Sequence, residues 1–429
     1  MNKNILMVCY YYPPLADVGC RRSVAFSKYL KKYGWNPFVL SVKNPDKAYC
    51  VLGEEKPPPE IPVEYAYSIA NVYKILGKLN GLLSRILRLF GVEIRRNYFY
   101  DLFCIPDYFL GWIPLSLIKG LSLIKRFRVG MIYVSCSPFS AALVGTFLKL
   151  LTKKPLILDF RDPFALEALS FLKLPKFRKK INRHIETHFL INADVFVVST
   201  EETRKAYIEQ YPEIEYKIFT VHNGFDNGYK MVNRADKYPK FTIIYTGEFY
   251  FYALNSTNLF EALSLLMSKG KISNNNFQFL FYGDGRGEIQ RIAREYHIEN
   301  IVTASSRIPY QDAIDAIARS HLQLLRIVKP MISTKLFEGI PLNTPFLATI
   351  PPGEVEEIIR KYSPSSYIVN EESGEKVADA ILDAMSKYAN NEIRNNHVHE
   401  FYHEFSRENL TLKLMKIIQD NLGVQEHIQ

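Results

Sequence analysis

The alternation of short apolar runs with amphipathic segments constrains this chain more than any single motif. In the first half the runs ILMVCY, NPFVLSV, MIYVSCS, PLILDF and ADVFVVST are short and rich in β-branched and aromatic residues. Segments of helical period, such as RRSVAFSKYLKKYG and AALVGTFLKLL, separate them. The second half repeats the scheme, with FTIIYTG, FQFLFYGDG, NIVTAS, LQLLRI and PFLATI alternating with TNLFEALSLLMSK, EIQRIAREYH and YQDAIDAIARS. A strand covered on both faces reads as a continuous apolar run, and a helical crossover makes its neighbours parallel. The pattern therefore predicts an α/β protein of two doubly wound, Rossmann-like domains, with the carboxyl ends of both sheets around a shared cleft. At 429 residues the chain exceeds what one core usually serves. The stretch 223–240 is polar, glycine-bearing and without period, as a linker is. Residues 1–228 are expected to form the first domain and 229–429 the second, with room for the terminal helix to pack back on the first.

Several function classes lose support on sequence grounds. A dinucleotide fold would carry G-x-G-x-x-G after its first strand; YYPPLADVGCRR offers only Gly19, and YGDGRGE has its glycines at the wrong spacing. A Walker A loop is missing as well. Five cysteines without a CxxC pair suggest reduced thiols in a cytosolic setting. MNKNILMVCYYYPP reads as a strand rather than a signal peptide, so no export is expected. The longest apolar stretch, YFLGWIPLSLIKGLSLI, is interrupted by Pro114 and Lys119 and is too short to span a bilayer.

Charge is divided unequally. Residues 1–228 hold 32 basic and 20 acidic side chains, the remainder 22 and 24, so the whole net charge of +10 resides in the first half. Such a bias suits an anionic partner, whether a phosphate-bearing acceptor, a membrane surface or nucleic acid, and equally a basic soluble surface. The basic run KLPKFRKKINRH has no nucleic-acid motif beside it, and a solvated or membrane-facing helix explains it better, so no nucleic acid is expected. KLNGLLSRILRLFGVEIRR mixes leucines with Arg85, Arg88, Arg95 and Arg96, as an interfacial helix or a buried helix with a basic edge would. HIETH spaces two histidines on one helical face, but its glutamate is misplaced for a metalloprotease and no third ligand is evident, so no metal is expected.

The segment PMISTKLFEGIPLNTPFLA holds the densest polar chemistry. Ser333 and Thr334 can open a helix, whose free N–H groups favour an anion, and Lys335 adds a cation there. Arg326 and Lys329 lie just upstream, and Glu338, one turn on, can accept two ribose hydroxyls. A nucleoside diphosphate would fit; so would an ordinary capped helix with two charges in solvent. Asp162, in DFRDPF after a buried strand, can orient or deprotonate an acceptor hydroxyl, or instead cap a helix or pair with Arg161.

YYPPLADVG, PDYFLGW, DFRDPF, ADVFVVST, VHNGFD, YGDGRGE and STKLFEGIPLNTPFLA, in this order, resemble the GT-B glycosyltransferases of family 4, and a subgroup acting in bacterial surface polysaccharide synthesis. The resemblance covers nearly the whole chain. It implies a retaining, metal-independent enzyme with no cofactor, taking a nucleotide-sugar donor, UDP-linked or GDP-linked, and a glycan or lipid-linked acceptor. The donor side would comprise Gly247, Arg307, Ile308, Tyr310, Lys329, Ser333, Thr334 and Glu338; the acceptor side Gly19, Arg21, Arg22 and Arg161; and Asp162, Arg326 and Lys335 would carry catalysis. It places the protein in the cytoplasm, with a peripheral position on the inner face of the membrane open to it. Two departures stand out. Pro330 occupies the place of the family's first glutamate, and TGEFYFYALNS lacks the usual Arg and Lys after its glycine. They leave room for a degenerate GT-B protein that binds donor or glycan without turnover.

Overall fold

The computed structural model describes residues 2–16, 18–45, 50, 56–91, 98–166, 169, 174–226, 236–249, 257–327, 332–370 and 373–424. The chain divides into two compact units, Met1–Asn223 with Arg407–Gln429, and Gly224–Ser406.

Among the described residues the first unit is built on seven strands: β1 (Asn4–Cys9), β2 (Asn36–Val42), β3 (Val63–Ala66), β4 (Met131–Cys136), β5 (Leu156–Phe160), β6 (Val195–Val198) and β7 (Ile218–Thr220). They lie in the order β3-β2-β1-β4-β5-β6-β7, all pairs parallel, so the strand order reverses between β1 and β4. The central strands β1, β4 and β5 are buried almost end to end, which is why their sequences run apolar without alternation. One face of this sheet packs Leu6, Val134, Leu158 and Phe196 against helices that include Ser140–Thr152. On the other face Ile5, Met7 and Tyr133 meet Phe26, Trp35 and the terminal helix Arg407–Leu422 through Leu410, Leu414 and Ile418.

A charged cluster is sealed inside this unit. Arg22 grips Asp159 with Nε at 2.7 Å and Nη2 at 3.0 Å, and gives two further hydrogens to the carbonyls of Val221 and His222. Tyr133 donates its hydroxyl to the same carboxylate, and Arg22 stacks on Phe26 at 4.7 Å. Burial is the largest single influence and would lower the Arg22 pKa, but the charge and hydrogen bonds of Asp159, with Tyr133, together outweigh it and the guanidinium is held more firmly protonated than usual. Arg22, expected on the acceptor side, is thus only 5% exposed and bonded into the core; a guanidinium needs such partners once it leaves water.

Among the described residues the second unit has six strands: β8 (Phe241–Thr246), β9 (Phe277–Tyr282), β10 (Val302–Ser305), β11 (Leu322–Arg326), β12 (Phe346–Thr349) and β13 (Tyr367–Val369). Their order is β10-β9-β8-β11-β12-β13, again parallel throughout. Here the reversal falls between β8 and β11, and at such a point the loops leave the carboxyl ends in opposite directions and open a crevice. Phe260, Leu263 and Val377 close one side of the sheet, while Phe337, Ile359, Phe401 and Phe405 form a second apolar cluster with Leu325 and Phe346.

Candidate functional site

The reversal between β8 and β11 gathers the polar chemistry of the second unit. After β8 the chain turns through Gly247, whose φ of +105° is a conformation that side-chain-bearing residues rarely adopt. Gly247 donates its N–H to the Tyr282 carbonyl at 2.8 Å, and a Cβ on Gly283 would sit 1.9 Å from the Gly247 oxygen. Two backbones therefore meet where neither can carry a side chain. Tyr245 closes the turn by donating its hydroxyl to the Glu248 carbonyl at 2.7 Å, and its ring meets Phe249 edge-on at 5.1 Å between centroids.

Those two rings each carry a cation. Arg326, the last residue of β11, lies 4.2 Å from the Phe249 centroid, and Lys335 Nζ lies 4.9 Å from that of Tyr245. Lys335 Nζ also abuts Gly247, at 3.5 Å from where a Cβ would stand. The Nη2 of Arg326 is shut off from solvent and finds no hydrogen-bond partner among the described residues. Burial pulls the Arg326 pKa down to about 10. It lowers Lys335 too, against the opposing charges of Glu338 and Glu248. Two desolvated cations are costly in a folded protein unless an anion offsets them.

The short helix Thr334–Gly339 begins where the sequence suggests, with Ser333 as its cap accepting the Lys335 N–H at 3.3 Å. Glu338 lies one turn further, half-buried. Lys329 and Pro330 lie outside the described residues. On the other flank, Arg307 pairs with Asp284 at 2.8 Å, joining the loops that follow β9 and β10. Ile308 is half-buried next to it, and Tyr310, 45% exposed, opens the helix Tyr310–Arg319. Sequence reading missed Tyr245 and Phe249, although the aromatic run that replaces the usual Arg and Lys after the glycine was the available signal: aromatic faces hold cations contributed from elsewhere.

In the first unit the residues after β5 are pinned at successive points. The Arg161 N–H donates to the Cys136 carbonyl at 2.8 Å and its own carbonyl accepts the Ser199 hydroxyl at 2.7 Å. Phe164 N–H reaches the Tyr207 hydroxyl at 3.3 Å, and Ala165 N–H the Glu186 carboxylate at 2.8 Å. Asp162 sits inside this held loop, half-buried, with the Ser137 hydroxyl at 3.5 Å. The Arg161 side chain turns to the carbonyls of Cys136 and Ser137 and packs on Gly19, where a Cβ would be 2.3 Å from it. A side chain at position 19 would have to displace the Arg161 guanidinium. Arg21 lies on the helix Val18–Lys32, half-buried.

Glu186, read in sequence only as part of HIETH, is the hub of the loop's anchorage. It is fully buried and also accepts the hydroxyls of Tyr207 at 2.7 Å and Tyr211 at 3.0 Å. Burial pushes its carboxyl up from the ordinary 4.5, and the three donors only partly restrain it. Glu186→Ala strands those donors and is expected to cost about 2–4 kcal/mol in thermal or urea unfolding, whereas Glu186→Gln, whose amide oxygen can still serve Ala165 and Tyr207, should lose less than half of that. Since the folded state holds this proton more tightly, wild type should lose stability relative to Glu186→Gln as pH rises above 4.5. Equal pH profiles for the two proteins would show that the carboxyl is not strained by burial.

No protein-family profile matches the sequence, and no curated protein matches it either. Solved structures do. A glycosyltransferase from Rickettsia africae ESF-5 superposes with a TM-score of 0.65 at 17% identity, covering 99% of this chain and 100% of its own. The Anabaena protein Alr3699/HepE, solved with UDP-glucose, gives 0.63 at 12% identity over 97% and 99%. WaaG, a glycosyltransferase involved in lipopolysaccharide biosynthesis, gives 0.59 at 11% over 98% and 100%. The fold is accordingly GT-B.

Proposed function

We propose that this chain is a retaining GT-B glycosyltransferase of family 4 that moves a sugar from a nucleotide sugar, UDP-linked in preference to GDP-linked, to a glycan or lipid-linked saccharide in cell-surface polysaccharide synthesis. The observation that carries the reading is the pair of desolvated cations, Arg326 and Lys335, at the strand-order reversal of the second unit, with an unsatisfied guanidinium hydrogen beside a side-chain-free backbone corner. A diphosphate is the ligand that answers both charges, and the corner at Gly247 and Gly283 admits it close to backbone. Glu338 takes the ribose hydroxyls, and Arg307, Ile308 and Tyr310 border the base. The Anabaena structure with UDP-glucose and the lipopolysaccharide role of WaaG support the donor class and the setting.

On this reading the bond from the anomeric carbon to the diphosphate oxygen breaks and its electron pair leaves with the phosphate, while the acceptor oxygen bonds the same carbon from the same face. The acceptor proton passes to the departing phosphate, with Asp162 orienting the hydroxyl in the pinned loop of the first unit. Charge grows on the phosphate, and Arg326 and Lys335 stabilise it without a metal. Gly19, Arg21 and Arg161 line the acceptor side, and the enzyme works at the cytoplasmic face of the membrane.

Glu338→Ala is expected to weaken nucleotide binding by about 1.5–3 kcal/mol, or roughly tenfold to a hundredfold, with the fold intact. Calorimetry with UDP and GDP checks it, and an unchanged affinity removes Glu338 from the ribose. The reading as a whole is tested by nucleotide release from a panel of UDP- and GDP-sugars with saccharide acceptors. Binding without release leaves a GT-B protein that holds donor without turnover; neither binding nor release defeats the proposal.

A further inference from the structure

The helix Val72–Leu89, between β3 and β4, has only Leu76 buried. Ile75, Leu79, Leu82, Ile86 and Leu89 follow one another at alternating spacings of four and three residues, which places them in one stripe along the helix. All five are exposed, from 44% at Leu79 to 85% at Leu89. Lys74, Lys78, Arg85 and Arg88 fall beside this stripe, also exposed, and the helix contains no acidic residue. Its first turn is fixed by Asn71, which accepts the Lys74 N–H at 2.9 Å.

The surface continues beyond this helix. Tyr73 meets Tyr100 of the helix Tyr98–Phe103 edge-on at 4.9 Å, and that helix exposes Leu102 and Phe103 at more than half of their surface. Arg178 donates to the Tyr100 carbonyl at 2.6 Å and so ties in the helix Lys176–Asn192, where exposed Phe177 and Ile181 stand among lysines. Apolar side chains in water over such an area mark an interaction surface.

We propose that this surface seats the first unit on an anionic lipid bilayer, with the helix Val72–Leu89 lying in the interface. The stripe alone would equally suit a second copy of the chain. The charges decide between them. Pairing this helix with itself would set cations beside cations with no carboxylate on either helix to answer them, whereas anionic headgroups complement every one. No helix among the described residues is long and apolar enough to cross a membrane, so the attachment is peripheral.

Co-sedimentation of the full chain with vesicles tests this. Wild type should bind phosphatidylglycerol/phosphatidylcholine vesicles in low salt, release as salt screens the charges, and ignore pure phosphatidylcholine. Lys74→Gln, Lys78→Gln, Arg85→Gln and Arg88→Gln together should weaken partitioning on the order of a thousandfold. Leu79→Ser with Leu82→Ser and Ile86→Ser should weaken it as well while keeping the salt dependence. No vesicle binding by wild type in low salt overturns the proposal, as does binding that both variants retain. A wild-type dimer in sedimentation velocity that either variant dissociates assigns the surface to a second copy instead. The assay involves no turnover, so its failure leaves the transferase reading standing.

Discussion

Arg326→Ala is expected to lower turnover by about two to three orders of magnitude while raising the donor KM only a few-fold. The guanidinium stacks on Phe249 with one end buried and unbonded, so the free protein already bears its desolvation. A cation held this way, in place before the reaction, gains most when charge on the leaving phosphate is greatest, which is in the transition state. Loss of one such preorganised group typically costs about a hundredfold to a thousandfold in turnover. Arg326→Lys should recover only part of it, since a point charge replaces the planar fork held over the Phe249 ring. Stability should move the other way: removing an unpaired, half-buried cation leaves the melting temperature unchanged or raises it. A melting temperature that falls along with activity would mean that Arg326 supports the fold and that the diphosphate is held elsewhere.

The second large effect concerns Arg22. Arg22→Met leaves the Asp159 carboxylate at 0% exposure with no opposite charge, and removing one partner of a buried pair costs about 3–5 kcal/mol. Unfolding of the first unit in urea should register that loss in full. The double variant Arg22→Met with Asp159→Leu should recover most of it, because two apolar side chains need no partner in that core. Should Arg22→Met prove as stable as wild type with impaired transfer, Arg22 would return to the acceptor side and the ion pair would carry little stability.

The sequence was legible where burial is two-sided. The five runs read as strands in the first half correspond to β1, β2, β4, β5 and β6, and those of the second half to β8 through β12. The three strands missed, β3, β7 and β13, are short strands at sheet edges, where a few residues such as VEYA carry too little pattern to stand out. Ser333 declared its cap through residue type alone, since its role depends on three consecutive positions. Arg22 could not be read the same way, because its partner stands 137 residues away and only the sheet brings them together. Glu186 was masked by two histidines: His184 and His188 face outward, whereas the residue between them turns inward to Tyr207 and Tyr211. The cation pair over Tyr245 and Phe249 lies between these cases, with every residue visible in the sequence and only their stacking hidden.

Whether Arg326 and Lys335 await a nucleoside diphosphate is decided by calorimetric titration of wild type, Arg326→Ala and Lys335→Ala with UDP and GDP. Wild type should bind one of the two nucleotides, and each variant should bind it more weakly; the diphosphate charge opposes the burial that lowers the Lys335 pKa, so any proton exchange on binding is uptake from the medium. No nucleotide binding by wild type, or one affinity shared by all three proteins, would mean that these two cations hold no nucleoside diphosphate.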